Sequence, residues 1–452
     1  MVQTTDPRQT VAERLIAAAI TSSWWLWLVG GLYIAGPALG WILGAMAAWN
    51  YYSASHRFRV DPSAFLSWPI RCWLMGMVAM LIILWVGHIQ HDLGISQMIK
   101  STAGWAKGWG LLALFSLAGA VLPIRLSVIA RAVCRLGRQT LLLLPLFLLA
   151  PVLELPQTLW VSPMRILGGA GDEYFAAVLY TLQPETGAAR WQFFAPWSPA
   201  AGLVAVVYIL CALEERDLKW KLTGIAAGLA MALMSQSRLA LLAIAIVWPL
   251  AYLASRLDRA WTWFAAVPVM LATSWLAPAL LAFAEQAQAD FSGARAASSQ
   301  VRETLGRIAV ERWQNEAYWF GHGIVEKGNH LVEYMLIGSH HSWYGLLFVK
   351  GLVGVVALTV PLALTLFATA RAALKNREGR LGFAMALVYL LYSFGENLEV
   401  IAYLSWPALV IMGMAVRTSG KTSSLNPAST NNAMLQSPSA WRDHPATPGI
   451  AH

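Results

Sequence analysis

Charge is what this chain has least of. Asp, Glu, Lys and Arg supply 12% of its 452 residues, about half the share usual in soluble domains. Mean hydropathy is +0.55, and 58% of the residues are hydrophobic. A water-soluble globular enzyme of this length needs far more polar surface, so that class is excluded. Collagenous, disordered and coiled-coil classes fail on the same figures. Cysteine is scarce too. Cys72, Cys134 and Cys211 show no metal spacing, so neither a disulfide framework nor a thiolate metal site is expected. The sequence has no Walker-type phosphate loop, no GxSxG elbow, and no HExxH or CxxC pattern. These absences argue against an ATP-driven pump and against a bound metal, and no cofactor is expected. The first residues lack a basic region followed by a short apolar core and a small-residue cleavage site. A cleavable signal peptide is therefore not expected, and the first span reads as a retained anchor.

What the chain does have is unbroken apolar runs of helix-spanning length. A membrane β-barrel would alternate apolar and polar residues instead. Clear spans fall at about 64–87, 106–123, 140–156, 199–213, 220–235, 239–254, 261–284, 342–368, 381–398 and 400–416. Four basic segments fix their sense: Arg125 to Arg138, Arg216 to Lys221, Arg256 with Arg259, and Arg371 to Arg380. They alternate consistently as cytoplasmic loops. An N-terminus inside the cell fits them only if two spans precede residue 57. Leu15 to Ile34 and residues 38–52 supply these, with Gly36-Pro37 as the break. The expected fold is an all-α polytopic membrane protein of about 12 transmembrane helices, both termini cytoplasmic. Its parts are a cytoplasmic N-terminus (1–14), a transmembrane catalytic domain (15–416) and a disordered cytoplasmic tail (417–452), poor in large apolar residues.

The net charge is +9. Its main source is the positive-inside bias rather than nucleic-acid binding, and no nucleic-acid partner is expected. Two segments, 157–198 and 286–341, fall on the periplasmic side by parity. The second is too long for a simple connector. From Ser299 to Tyr318 apolar residues recur at helical spacing, with Arg302, Arg307, Arg312, Glu303, Glu311 and Glu316 opposite. That is an amphipathic helix, lying on the membrane surface or over a cavity mouth.

Cations on the outer side run against the usual bias. Most helix arginines there have acidic neighbours and read as a solvated face. Arg190, with no acid nearer than Glu185, and Arg238, in the turn Ser235-Gln236-Ser237-Arg238, stand apart. Snorkelling to headgroups is one reading of them. The other is a clamp on a phosphate or diphosphate, to which guanidinium binds through paired hydrogen bonds. Four of the 9 histidines, His322, His330, His340 and His341, lie in the large outer loop. The His340-His341 pair opens a span, where an imidazole suits general-base work.

In this order the motifs resemble the O-antigen ligase / O-antigen polymerase family of bacterial membrane glycosyltransferases. The resemblance covers residues 140–416. It rests on Arg190 followed by Phe194-Ala195-Pro196-Trp197, on the Ser-Arg turn at Arg238, and on Arg302 to Trp313 leading into Phe320-Gly321-His322-Gly323. The last piece is His340-His341-Ser342-Trp343-Tyr344, with Gly351 and Gly354 downstream. Two departures stand out: Trp197 replaces the usual Asn, and the family's His-Asn box here has a doubled His and no Asn. Spacing to Gly351 and Gly354 favours His340 as the family His. The following Ser-x-Tyr favours His341, to which the reading leans.

The resemblance implies an inner-membrane enzyme whose active site faces the periplasm. Its donor is an undecaprenyl-diphosphate-linked glycan and its acceptor is lipid A-core (ligase) or another lipid-linked glycan (polymerase). Transfer is metal-independent and inverting, with His341 or His340 as base and Arg190 and Arg238 on the diphosphate. Arg302, His322, Lys350 and Glu396 are further candidates for substrate contact. Membrane lipids are the remaining partner. By resemblance, the stretch Phe394-Gly395-Glu396-Asn397-Leu398-Glu399 tilts the reading to ligase. The competing class is a secondary transporter or a flippase of lipid-linked oligosaccharide, for which Lys350 inside a span is the best feature.

Overall fold

The computed structural model describes residues 9–58, 66–167, 171–183, 187–259, 296–332 and 334–417, with Thr262, Phe264, Val267 and Pro268 besides. Most of the expected span at 261–284 and the tail after Arg417 lie outside the described residues. The chain divides at Arg417 into a main unit and a terminal one.

The main unit is an all-α membrane protein. Its helices are α1 (Val11–Thr21), α2 (Ser23–Leu28), α3 (Leu32–Phe58), α4 (Trp68–Gln90), α5 (Ile95–Lys107), α6 (Trp109–Val121) and α7 (Leu126–Val152). Then follow α8 (Ser198–Leu213), α9 (Leu218–Met234), α10 (Arg238–Ala254), α11 (Ala296–Glu316), α12 (Ser342–Ala373), α13 (Arg377–Tyr392) and α14 (Leu398–Ala415). Five of them, α3, α4, α7, α12 and α14, are long and apolar enough to cross a membrane, and α8 and α10 are shorter apolar helices. Side chains that hold the first free N–H groups start many of them. Asp217 caps α9, Ser237 caps α10, Asn376 caps α13, and Thr10 with Glu13 forms a capping box on α1.

α14 is the buried centre. It packs against α6 and α13, with α3 and α8 beyond. Between lipid-like surfaces, association depends on close packing. Gly119 on α6 and Gly413 on α14 each leave room only for the opposing backbone, because a Cβ there would overlap Val410 O and Ser116 O respectively. At the end of the bundle that carries the basic segments, cations meet carboxylates. Arg125 pairs with Glu13 and Arg131 with Glu215, each at 2.7 Å. Arg131 holds the Glu215 carboxyl down at about 2.

Two expectations need correction. The first break lies at Val29–Gly31, where Gly30 has φ 66°, and not at Gly36-Pro37. Pro37 sits inside α3, a placement spanning helices tolerate. Arg131, Arg135 and Arg138 are not in a loop. They lie on the first half of α7, because Val128, Ile129, Ala132, Val133 and Leu136 give it a buried face at helical spacing. Segment 157–198 holds two small antiparallel sheets, β1 (Thr158–Val161) with β2 (Ala176–Val178), and β3 (Thr181–Leu182) with β4 (Ala189–Arg190). The amphipathic helix expected from Ser299 is α11. It turns Leu305 and Ala309 inward and leaves Arg302, Glu303, Arg307 and Glu311 exposed. Ala309 packs with Ile337 and Phe348, so its apolar face is covered by protein.

Candidate functional site

α12 is two helices in sequence. Gly351 breaks it with φ 61° and ψ −164°, a conformation essentially reserved for glycine. The break frees backbone groups that lipid cannot satisfy. The segment Tyr318–Gly323 satisfies them. His322 N and Gly323 N donate to Phe348 O and Val349 O, while Leu352 N and Val353 N donate to Tyr318 O and Trp319 O. A Cβ on Gly321 would overlap the Val349–Lys350 backbone, and one on Gly351 would overlap Trp319. The Gly-His-Gly motif is therefore a plug for the broken helix.

His322 belongs to the plug. It is 5% exposed, stacks on Phe348 at 4.3 Å, and joins Phe348 O through Nδ1 and Glu316 through Nε2. Arg312 reaches Glu316 and Glu326 and covers the Phe348 ring. It holds the Glu316 carboxyl at about 2, with His322 adding to the effect.

Beside the plug lies a cavity of about 840 Å³. Its wall includes His340, Lys350 and Glu396, with Trp105, Trp109, Tyr174, Trp197, Lys100, Lys327, Glu173 and Glu399. Glu396 sits in the turn between α13 and α14 and is 1% exposed. Its Oε2 accepts a hydrogen bond from Trp197 Nε1 at 3.1 Å. Its Oε1 is buried and has no partner among the described residues. Burial pushes this carboxyl up to about 7, against the opposing pull of Arg302, the Trp197 bond and Arg190.

The turn carrying Glu396 is fastened to the start of α12. Ser342 N donates to Ser393 O. Ser342 Oγ donates to Glu396 O at 2.7 Å and accepts from Leu398 N at 3.0 Å. Trp343 Nε1 donates to Ser393 Oγ.

The two neighbouring histidines do different things. His341 is the N-cap of α12. Its Nδ1 accepts from Tyr344 N at 3.3 Å, and its ring stacks on Tyr344 at 4.0 Å. His340 lines the cavity and holds a left-handed backbone, φ 60°, a costly conformation for a residue with a Cβ. Burial, and then Arg302, push the His340 imidazole down to about 4, so its ring is neutral at ordinary pH.

Arg190 and Arg238 do not line the cavity. Arg190 Nε donates to Ser235 O at 2.8 Å, and the Gln236 amide joins Gln183 and Ala189 O. This ties the β3–β4 hairpin to the turn from which Arg238 starts α10. Arg190 still acts on Glu396 through its charge, as does Arg302. Inside the bundle, Lys350 is 3% exposed and donates to Met80 O at 3.3 Å. Glu399, at the start of α14, faces it electrostatically.

The structure thus brings His340, Lys350 and Glu396 to one cavity, with Arg302 and Arg190 in electrostatic reach. It sets His341 in a cap and His322 in the plug. Sequence reasoning missed α5 and the hold of Trp197 on Glu396. The one available signal for the latter was that Trp197 stands where the family it resembles usually has Asn. Among the described residues, no group of three or more His, Cys, Asp or Glu is placed to hold a metal ion.

No protein-family model matches the chain, and a search of the curated proteins returns no match.

Proposed function

We propose that this chain is a membrane glycosyltransferase of the O-antigen ligase type. In this reading it has about twelve spans and both termini in the cytoplasm of a bacterium, and its cavity opens to the periplasm. It moves a glycan from undecaprenyl diphosphate to lipid A-core. One observation carries the reading. A buried carboxyl with an unsatisfied oxygen, a neutral imidazole and guanidinium charge converge on one cavity at the ends of apolar helices. That set suits a reaction in which an acceptor hydroxyl attacks a sugar carbon and a diphosphate departs.

The acceptor oxygen bonds to the anomeric carbon from the face opposite the diphosphate. The bond to the diphosphate breaks and its electron pair leaves with the phosphate oxygen. The guanidinium charges of Arg302 and Arg190, which reach Glu396 on the cavity wall, offset that charge. His340 bears on the acceptor hydroxyl. Fixed guanidinium donors supply this stabilisation without reorganisation at the moment of reaction.

A second reading is supported by Lys350 beside Gly351. A charged residue at a helix break inside the bundle is also a transporter feature, so a flippase of lipid-linked oligosaccharide is the alternative. The lipopolysaccharide gel pattern of a strain lacking this chain tests the proposal. Bare core with accumulated lipid-linked polymer is expected. Single-repeat glycans on core would instead mean a polymerase, and an unchanged pattern would sink the reading.

A further inference from the structure

We propose that Glu396, through its free Oε1, is the general base of the transfer. This assignment rests on the glycosyl-transfer reading above. Three geometric facts support it. The carboxyl lines the cavity, and only one of its two oxygens is engaged, by Trp197 Nε1. The other is shielded from solvent and has no partner among the described residues. An unsatisfied buried oxygen is costly, and a hydroxyl arriving in the cavity satisfies it. Finally, Ser342 fastens the turn on both sides of Glu396, through Ser393 O and through Glu396 O with Leu398 N, so the carboxyl is held in place before substrate arrives.

The step balances. The acceptor O–H bond breaks as the acceptor oxygen bonds to the anomeric carbon. The electron pair of the carbon–phosphate-oxygen bond leaves with the diphosphate. The proton ends on Glu396 Oε1 and later passes to water at the cavity mouth.

Acid–base balance on the cavity wall agrees with this division of labour. A base works best when its proton affinity matches the operating pH, and burial raises Glu396 to about 7. His340, pushed down to about 4, stays neutral and serves as a hydrogen-bonding group. The charged and titratable groups that face Glu396 are Arg302 from α11, Arg190 from β4, Tyr174, Tyr392 and, on the same wall, Lys350 and Glu399. The two guanidiniums lower its proton affinity, so they also set the pH at which it is ready to work.

The test uses the full chain purified in detergent, a lipid-linked glycan donor and lipid A-core. Glu396→Gln keeps an oxygen for Trp197 and removes the basicity. Its kcat should fall at least 100-fold while KM for the donor stays within threefold. In the wild type, kcat should rise with pH to half its maximum near pH 7. That limb should be missing from the residual activity of Glu396→Gln and present in Glu396→Asp and His340→Asn. Infrared difference spectra between pH 5.5 and 8.5 should show a protonated-carboxyl band lost in the wild type and a clearly smaller loss in Glu396→Gln. A Glu396→Gln enzyme with more than a third of wild-type kcat, or with the limb intact, overturns the assignment alone. A wild type that transfers nothing overturns the reading of function as well.

Discussion

Trp197 Nε1 donates to Glu396 Oε2 at 3.1 Å across 199 residues of chain. The indole sits where the β3–β4 segment enters α8, and the carboxyl sits between α13 and α14. One hydrogen bond therefore joins the outer segment to the cavity wall and leaves Oε1 as the carboxylate oxygen with no partner among the described residues. The Trp197 ring also meets Tyr174 edge-on at 5.7 Å, which fixes its orientation from the other side.

Trp197→Phe keeps the ring and removes the donor. A hydrogen bond to a charged group is worth about 1.5–3 kcal/mol, and its loss disfavours the ionised carboxylate. The acid limb of the transfer rate should move upward by about one pH unit or more, with Tyr174 packing preserved. A pH–rate series on the purified variant checks this. An unmoved limb would separate Trp197 from the acid–base step.

Glu396 also makes stability depend on pH in a stated direction. Its folded value, about 7, lies above its ordinary 4.5. Its contribution is fully present below the ordinary value and is lost as pH rises through about 7. The loss amounts to roughly 3 kcal/mol, from about 1.4 kcal/mol for each pH unit of difference. Thermal unfolding in detergent should show the melting temperature falling between pH 5 and 8, and Glu396→Gln should make that fall smaller. An equal fall in the variant would assign it to other groups.

Gly351→Ala tests the broken helix. The φ of 61° with ψ of −164° costs any residue with a Cβ on the order of 1–3 kcal/mol, and the new methyl group meets Trp319. The plug would be displaced and the four backbone bonds it makes with α12 lost. Folded yield and melting temperature should both drop clearly, while Gly94→Ala, in open space at φ 80°, should cost less. Equal behaviour of the two variants would remove the plug from the account.

Hydropathy located several helices to within a few residues, because an apolar run has to be long enough to reach across a bilayer. The run read at 199–213 is α8 at Ser198–Leu213, and that at 239–254 is α10 at Arg238–Ala254. It did not show α5, whose mix of Lys100, Ser101 and Thr102 with Ile95 and Ile99 resembles a loop in composition. It put Arg131 to Arg138 outside a helix, because charge was taken to end the span. The break at Gly351 was hidden within an apolar run, since a glycine's conformation depends on what packs against it. Separating His340 from His341 needed the backbone. One ring caps α12 and the other faces the cavity, and the two positions differ by a single residue. The Trp197–Glu396 bond needed the fold itself.

The most direct test of the central claim is glycan transfer by the purified chain in detergent micelles, where no sealed compartment exists. Lipid-linked glycan and lipid A-core are supplied, and the modified core is resolved by gel and mass spectrometry. The account predicts core carrying the donor glycan, formed at a rate that Glu396→Gln lowers at least 100-fold. Core left bare by the wild type in detergent, with glycan lipid moved across the bilayer when the same protein is placed in sealed vesicles, would contradict it.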